Sequence, residues 1–271
     1  MKNIKFTVSN IAWQKNNLYQ IIDLFKKNNI NILEFSPNIL LNNNFTKKNI
    51  FKVKNFWNKK NIKLYSMQSI LYGLDNAYLF GTTNQKKKFL NEVKKKINIA
   101  KHLGVKVIVF GSPKNKINIF NKSIKKLDVE AISIFKKINI ICKKKKIIFC
   151  LEANSKIYKC EYLNYTNHAF KIAKAINSDF FKVNLDVGTI IQNKENPINL
   201  IKNNIKLIGH CQLSMPLLRP INLTNKIIRT VITLLKKHKY KGVVSMEMLP
   251  SKKICTLLQK NLKILKKIIT L

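Results

Sequence analysis

The stretch Ile147-Ile148-Phe149-Cys150-Leu151-Glu152 is a strand-like apolar run that ends in an acidic residue. After a longer segment of helical character, Phe181-Lys182-Val183-Asn184-Leu185-Asp186 repeats the pattern. Outward from these two runs, similar runs recur at regular spacing over the whole chain. The eight candidate strands are residues 4–8, 31–35, 62–68, 105–110, 147–151, 181–186, 205–212 and 243–248. A short apolar run bounded by turn residues is typical of a buried strand.

The segments between these runs carry apolar residues at steps of three and four, which predicts amphipathic helices. Examples are Leu18, Ile21, Ile22 and Phe25, and then Leu90, Val93, Ile97, Ala100 and Leu103. Gly104 and the turn at 240–242 mark helix ends, and the Asn-rich residues 40–46 are expected to form a loop. Eight strand–helix units in 271 residues favour an α/β fold, a (β/α)8 TIM barrel built as a single domain over residues 1–271.

The chain is strongly basic, with 52 Lys+Arg against 12 Asp+Glu and a formal net charge of +40. Such a charge would ordinarily indicate a nucleic acid or an anionic membrane as partner. Only Arg219 and Arg229 are arginines, however, and nucleic-acid readers favour the bidentate guanidinium of Arg. Because Lys, Asn and Ile share A/T-rich codons, genome composition explains the charge better than a selected basic surface. No specific nucleic acid is therefore expected as a partner.

Membrane and secreted classes are not favoured either. No run approaches the roughly 18 uninterrupted apolar residues of a membrane span, and residues 1–4 lead into a strand-like segment without a secretory apolar region. Five Cys without a Cys-x-x-Cys motif argue against a disulfide framework and a zinc knuckle. The sequence predicts a cytoplasmic protein without membrane contact. A homo-oligomer is compatible with it, because lysine-rich helices hide any interface signal.

The few acidic residues are more informative than the many basic ones, because a barrel places its chemistry at the carboxyl ends of its strands. Glu34, Glu152, Asp186 and Glu247 all stand at the end of a predicted strand, within apolar runs. A carboxylate buried there needs partners. Each acid taken singly is explained equally well as a cap of the following helix or as the partner of a lysine.

Three of these acids belong to strands five, six and eight, so Glu152, Asp186 and Glu247 are expected to converge at one mouth of the barrel. Strand seven lies between them and offers His210 and Gln212, which share one face of the strand. Carboxylates with one imidazole or amide suit a hard divalent ion such as Mg²⁺ or Mn²⁺.

With these residues in place, the chain resembles the xylose-isomerase-like TIM barrels over nearly its whole length. It is most similar to the branch of sugar phosphate isomerases and epimerases. The resemblance is carried by blocks that follow the strands in order. These are Ser9-Asn10-Ile11-Ala12-Trp13, Leu33-Glu34-Phe35-Ser36-Pro37, Met67-Gln68-Ser69-Ile70-Leu71-Tyr72-Gly73, Val109-Phe110-Gly111-Ser112-Pro113-Lys114-Asn115, Cys150-Leu151-Glu152-Ala153-Asn154, Leu185-Asp186-Val187-Gly188-Thr189, His210-Cys211-Gln212-Leu213-Ser214-Met215-Pro216 and Val244-Ser245-Met246-Glu247-Met248.

The resemblance implies a divalent metal, Mn²⁺ or Mg²⁺, held by Glu152, Asp186, Gln212 and Glu247. It also implies that Glu152 and Glu247 exchange a proton with the carbon next to a substrate carbonyl. A metal polarises that carbonyl, while a carboxylate on each face of the carbon removes and returns the proton. The expected activity is a metal-dependent isomerase or epimerase of a small sugar, sugar phosphate or related polyol ketone.

Further substrate contacts are expected around this centre. Trp13 would form an apolar wall for the sugar, and plain packing is an equal expectation for it. Gln68, Ser112, Asn154 and His210 are candidates for hydrogen bonds to substrate hydroxyls. Arg219 is a candidate handle for a phosphate or carboxylate, with a solvated surface position as the equal alternative.

The chain also departs from the family pattern. The fourth metal ligand is usually His, and Gln212 stands there; a neutral amide holds the ion less strongly. Thr189 stands where the ketose epimerases carry a His, and Met215 stands where the related branch tends to carry Glu. A barrel that has lost chemistry and binds a ligand or partner is therefore the alternative hypothesis.

An abasic-site endonuclease is the less favoured third hypothesis. Its three-zinc site needs histidines at several strand ends. The chain has four histidines, of which His102, His168 and His238 fall in predicted helices. Lysine-driven binding of nucleic acid at low salt would be a charge effect that fades as salt rises.

Overall fold

A computed structural model of the chain describes residues 4–270; residues 1–3, which precede the predicted first strand, and residue 271 lie outside it. All eight predicted strands are present. They are β1 Lys5–Val8, β2 Ile32–Phe35, β3 Lys63–Met67, β4 Val107–Phe110, β5 Ile148–Glu152, β6 Phe181–Asp186, β7 Ile208–Leu213 and β8 Val243–Met246.

Ten α-helices accompany the strands in the described part of the chain. They are α1 Leu18–Lys27, α2 Pro37–Leu40, α3 Lys47–Lys59, α4 Thr83–Leu103, α5 Ile124–Lys145, α6 Thr166–Ile176, α7 Val187–Gln192, α8 Pro197–Asn204, α9 Lys226–Lys237 and α10 Ile254–Thr270. The ends of α4 show how the sequence sets them. Thr82 and Gln85 form a reciprocal capping box at its start, and Gly104 ends it in the left-handed conformation at φ 84°.

The strands form one parallel sheet in the order β1-β8-β7-β6-β5-β4-β3-β2. An isolated parallel bridge between Ser9 and Glu34 joins the two ends of the sheet, so that the barrel is nearly closed. The predicted (β/α)8 TIM barrel is confirmed. The main core lies between sheet and helices and includes a run of contacting aromatic rings, in which Phe110 packs against Phe89, Phe135 and Phe149.

Strand register brings polar residues side by side near the carboxyl end of the sheet. Glu152 pairs with Asn184 and Asp186 with Gln212, while Glu34 lies beside Ser66. Alternation along β5 places Glu152 on the same face as Cys150 and Ile148. Those two residues pack with Val107, Val109 and Tyr65 in a small cluster that is separate from the main core.

Several boundaries differ from the prediction. Ile205–Leu207 forms a 3-10 turn directly after α8, and β7 begins only at Ile208, because apolar content alone does not separate such a turn from a strand. β5 includes Glu152, whereas β8 ends at Met246 and leaves Glu247 in the following loop. Leu40, expected in a loop, ends the short helix α2. His238 directly follows α9 instead of lying inside it.

The five cysteines are free, and all but Cys255 are buried. Within residues 4–270, no helix combines the length and apolar character that crossing a membrane requires.

Candidate active site

Three carboxylates mark the carboxyl end of the barrel. Glu152 and Asp186 are the last residues of β5 and β6, and Glu247 directly follows β8. Burial raises the pKa of Glu152 to about 7, and the charge of Asp186 adds to this effect. Burial, followed by the charges of Glu152, Glu34 and Asp186, raises the pKa of Glu247 well above its ordinary value. The structure thus places at one end of the barrel, within electrostatic reach of one another, the three acids that the sequence predicted there.

The Glu152 carboxylate is held from both sides by amides. Asn154 Nδ2 donates to Oε1 at 2.6 Å, and Asn184 Nδ2 donates to Oε2 at 2.9 Å. Gly111, at the end of β4, makes room for this arrangement, because a Cβ there would lie 2.5 Å from Glu152 Oε1. Both carboxylate oxygens act as acceptors, so the two amide donors favour the ionised form, whereas burial opposes it.

Asp186 fulfils the helix-capping expectation. One carboxylate oxygen accepts from the backbone N–H and the hydroxyl of Thr189, at 2.9 and 2.7 Å, and thereby caps α7. The other oxygen accepts from the Ser214 hydroxyl. Burial nevertheless raises the pKa of Asp186 above its ordinary value. Thr189, which departs from the family pattern, is therefore engaged by Asp186.

Glu247 is held differently. Its backbone N–H donates to Leu213 O at 2.9 Å, which fixes the start of the loop after β8. Its side chain is only 9% exposed and receives no hydrogen bond from the rest of the described chain. Without a donor to stabilise the negative charge, burial favours the protonated acid.

The position of the fourth family ligand is part of a buried polar network. Gln212 Oε1 accepts from Asn184 Nδ2 at 2.5 Å, and Gln212 Nε2 donates to Glu34 Oε1 at 3.0 Å. Glu34 Oε2 lies 2.5 Å from His210 Nε2 and accepts from Ser66 at 2.9 Å. Burial alone would raise the pKa of Glu34, but His210 and the hydrogen bonds outweigh it and lower that pKa. Both polar atoms of the Gln212 amide are thus engaged within the protein.

Of the remaining predicted contact residues, some are buried against other side chains and the others lie in loops at the carboxyl end of the barrel. His210 is fully buried against Glu34, and Gln68 is buried with its amide nitrogen donating to Ser9. Trp13 is buried as well and packs edge-on against Phe25. Ser112, Asn154 and Arg219 lie in the loops at the carboxyl end of the barrel. Of these, Arg219 is exposed, and the buried Ser112 Oγ has no hydrogen-bond partner within residues 4–270.

Three residues near the carboxylates were not among the sequence candidates. Asn184 lies two positions before Asp186 on β6, so strand alternation was a usable signal for it. Lys116 is fully buried and donates to Glu152 O and Asn154 Oδ1, both at 2.8 Å. Nothing distinguishes it from the other lysines of so basic a chain.

Tyr158 is the third such residue and stands over the site. Its hydroxyl accepts from Leu217 N at 2.8 Å and so joins the loop after β5 to the loop after β7. Burial and the charges of the three carboxylates raise the pKa of this phenol. Leu217 and Leu218 both adopt left-handed backbone, at φ 60° and 52°, which is strained for residues with a Cβ.

The three carboxylates meet some of the needs of a divalent ion but not all of them. The charge of Asp186 raises the pKa of Glu152 and the charges of both raise the pKa of Glu247, and a bound hard dication would offset this repulsion. Gln212 does not fit as a fourth ligand while its oxygen is bonded to Asn184. In the part of the chain that the structure describes, no three His, Cys, Asp or Glu side chains are close enough to share one ion. The carboxylates fit a divalent cation in their chemistry, and binding it would require them to move together.

The chain belongs to the xylose isomerase-like TIM barrel family, whose family model matches residues 19–268. Its fold is similar to that of a D-psicose 3-epimerase crystallised in the presence of D-fructose, with a TM-score of 0.80, 13% identity and coverage of 98% of this chain and 99% of that one. A D-psicose 3-epimerase with D-tagatose from Clostridium cellulolyticum H10 also has a TM-score of 0.80 to this chain. The identity is 15%, and the alignment covers 98% of this chain and 99% of that one.

A 3-keto-D-glucoside 4-epimerase from E. coli has a TM-score of 0.75 to this chain, 14% identity and coverage of 97% of this chain and 99% of that one. No curated protein matches the chain significantly in sequence. At these identities, the structural likeness establishes the barrel fold.

Proposed function

We propose that the protein is an isomerase or epimerase of a small sugar, sugar phosphate or related polyol ketone. The observation that carries the proposal is the placement of Glu152 and Glu247. Glu152 ends β5 and Glu247 directly follows β8, two strands that are not neighbours in the sheet, and the charge of Glu152 raises the pKa of Glu247. A carbon bound between them could lose a proton to one carboxylate and regain it from the other.

The two glutamates are suited to different parts of that reaction. Glu152 presents an oriented acceptor, because both of its oxygens accept hydrogen bonds from amides. Glu247 has no such donors and is the better placed to carry a proton. We assign Glu152 to proton removal and Glu247 to proton return, and the roles exchange in the reverse direction.

Glu152, Asp186 and Glu247 are the residues that would hold a divalent ion, with Mn²⁺ or Mg²⁺ as the candidates. When bound, the ion would supply polarisation of the substrate carbonyl. Ser112 and Tyr158 are proposed to donate hydrogen bonds to substrate hydroxyls, and Trp13 is proposed to limit the space for the sugar. The exposed Arg219 is the proposed handle for a phosphate or carboxylate. The family and the structural likeness to sugar epimerases support this substrate class.

The test is exchange of a substrate proton with solvent. The protein is incubated with Mn²⁺ or Mg²⁺ in D₂O with a panel of ketoses and ketose phosphates, and deuterium incorporation is followed by NMR. Wild type should exchange one carbon-bound proton and form product. Glu152→Gln should abolish the exchange, whereas Glu247→Gln should abolish product formation, because Glu152 can still remove the proton. Glu92→Gln on the outer face of the barrel, where Glu92 pairs with Lys95 at 2.6 Å, is the matched control. If the wild type exchanges no proton in any of these compounds, the proposal is wrong.

The engaged amide of Gln212 favours one second candidate, a barrel that binds a sugar or partner without catalysis. It predicts calorimetric binding of a compound from the same panel without deuterium incorporation. Exchange with any of these compounds would exclude it.

A further inference from the structure

Among residues 4–270, Lys116 is the lysine that the fold removes completely from solvent. It ends a 3-10 turn, Pro113–Lys116, in the loop after β4, and none of its surface is exposed. Lysine is almost never fully buried unless its ammonium is paired. Within residues 4–270, Lys116 makes no salt bridge to a carboxylate. Its burial therefore needs an explanation other than a simple ion pair.

Both hydrogen-bond partners of Lys116 belong to one short stretch at the end of β5. Nζ donates to the backbone carbonyl of Glu152 and to Asn154 Oδ1, each at 2.8 Å. Both partners are acceptors, and the ammonium has only donors to offer. The lysine thus anchors the end of β5 and one side of the Asn154 amide.

This contact decides which way the Asn154 amide faces. With Oδ1 turned to the cation, Nδ2 must face the other way, and it donates to Glu152 Oε1 at 2.6 Å. The reverse orientation would place an NH₂ group against the ammonium and a carbonyl oxygen against the carboxylate. Both contacts would be repulsive, so the orientation of the amide follows from the position of the lysine.

We propose that Lys116 is a positioning residue for Glu152, acting through Asn154 and through the carbonyl at the end of β5. Lys116 and Asn154 fix Oε1, while Asn184 fixes Oε2 from the neighbouring strand. The carboxylate is then held at one place, where a bound carbon could lose its proton. The inference rests on the proposed function for its catalytic meaning, but the positioning itself is a property of the free protein.

The first experiment measures positioning without any substrate. A crystal structure of Lys116→Met should show the Asn154 side chain turned away from Glu152 Oε1, beyond hydrogen-bond distance. If the 2.6 Å contact persists in that variant, the inference is wrong whatever the activity of the protein. If the wild type turns over no sugar, the proposed function is wrong, but the result on the orientation of the Asn154 side chain still holds.

The second experiment uses solvent exchange of a sugar that the wild type turns over. Lys116→Met and Asn154→Leu should each lower kcat by on the order of tenfold to a hundredfold, with little change in KM, because the displaced group acts in the chemical step. The double variant should be no slower than the slower single one, since both substitutions break the same link. The inference would be contradicted if the double variant lost kcat by the product of the two single losses, or if the variants changed only KM.

Two further variants separate positioning from folding. Lys96→Met removes a second buried lysine, whose Nζ lies 3.8 Å from the centroid of the Phe45 ring in the outer layer, and should leave kcat unchanged. Asn154→Asp keeps an acceptor for Lys116 but removes the donor to Glu152. If Lys116→Met fails to fold, Asn154→Asp takes its place: it should fold and lose kcat to the same extent, and wild-type kcat would overturn the inference.

Discussion

Asn184 donates to Glu152 Oε2 at 2.9 Å, and the same side-chain nitrogen donates to Gln212 Oε1 at 2.5 Å. Since Gln212 in turn donates to Glu34, a continuous chain of hydrogen bonds runs from the closing edge of the barrel to the candidate base. The network that engages both ends of the Gln212 amide therefore also supports Glu152.

Asn184→Ala tests the central link of this chain. The substitution leaves one oxygen each of Glu152 and Gln212 without its donor in a buried site, which should cost about 1–3 kcal/mol of unfolding free energy. Urea unfolding monitored by circular dichroism measures this. The exposed Asn199 on α8 provides the control Asn199→Ala, expected within about 0.5 kcal/mol of wild type. Equal stability of both variants would show that the network contributes nothing.

Gly111→Ala tests the space beside Glu152. The added Cβ would lie 2.5 Å from Glu152 Oε1 and 3.3 Å from Asn154 Nδ2, so the carboxylate must shift. Solvent exchange should slow by on the order of a hundredfold, because displacing a reacting group by about 1 Å has that effect. Gly104→Ala is the matched control, because its added Cβ would meet no atom within 4 Å. Its backbone is strained for alanine, however, since φ is 84°. It should lose about 1 kcal/mol of stability and keep full exchange.

Gln212→His tests whether position 212 limits metal affinity. Imidazole is the better ligand for a divalent transition metal, so the Kd for Mn²⁺ should fall by about tenfold or more. The free protein should lose about 1–3 kcal/mol of stability, because Glu34 and Asn184 lose their partners. Calorimetric titration and urea unfolding give the two values, with the exposed Gln192→His as control. Unchanged Mn²⁺ affinity would contradict this account.

The sequence could predict what periodicity and strand ends determine. Glu152 and Asp186 each end an apolar run, which predicted them at the carboxyl end of the barrel, and the structure places them there. It could not predict that the Gln212 amide would be engaged at both ends, because that depends on the register of Asn184 in β6 and on the position of Glu34 across the closing edge.

The loop residues near the site could not be predicted from the sequence for a different physical reason. Tyr158 meets Leu217 only because both loops take particular conformations, with left-handed backbone at Lys159 and Leu217, and no side-chain pattern specifies such a conformation at these residues. The burial of Lys116 could not be predicted because of the composition of the chain. Among 52 basic residues, no pattern of neighbours distinguishes a buried lysine from an exposed one.

A cluster outside the candidate site gives a prediction about pH. Asp128 on α5 accepts from Tyr162 at 2.9 Å and from Lys171 at 3.0 Å, and His168 Nε2 lies 2.6 Å from it. Burial alone would raise the pKa of Asp128, but the hydrogen bonds from His168, Lys171 and Tyr162 outweigh it and lower that pKa. The cluster ties α5 to α6 and to the loop before α6.

Because the folded pKa of Asp128 lies below the unfolded value of about 3.9, its contribution is complete above that pH and is lost as pH falls through the folded pKa. Asp128→Asn should therefore be about 1–3 kcal/mol less stable than wild type at pH 7, and the difference should shrink steadily below about pH 4. Urea unfolding at a series of pH values measures it, with the exposed Asp75→Asn as control. A difference that stays constant down to pH 2 would show that the charge of Asp128 does not stabilise the fold.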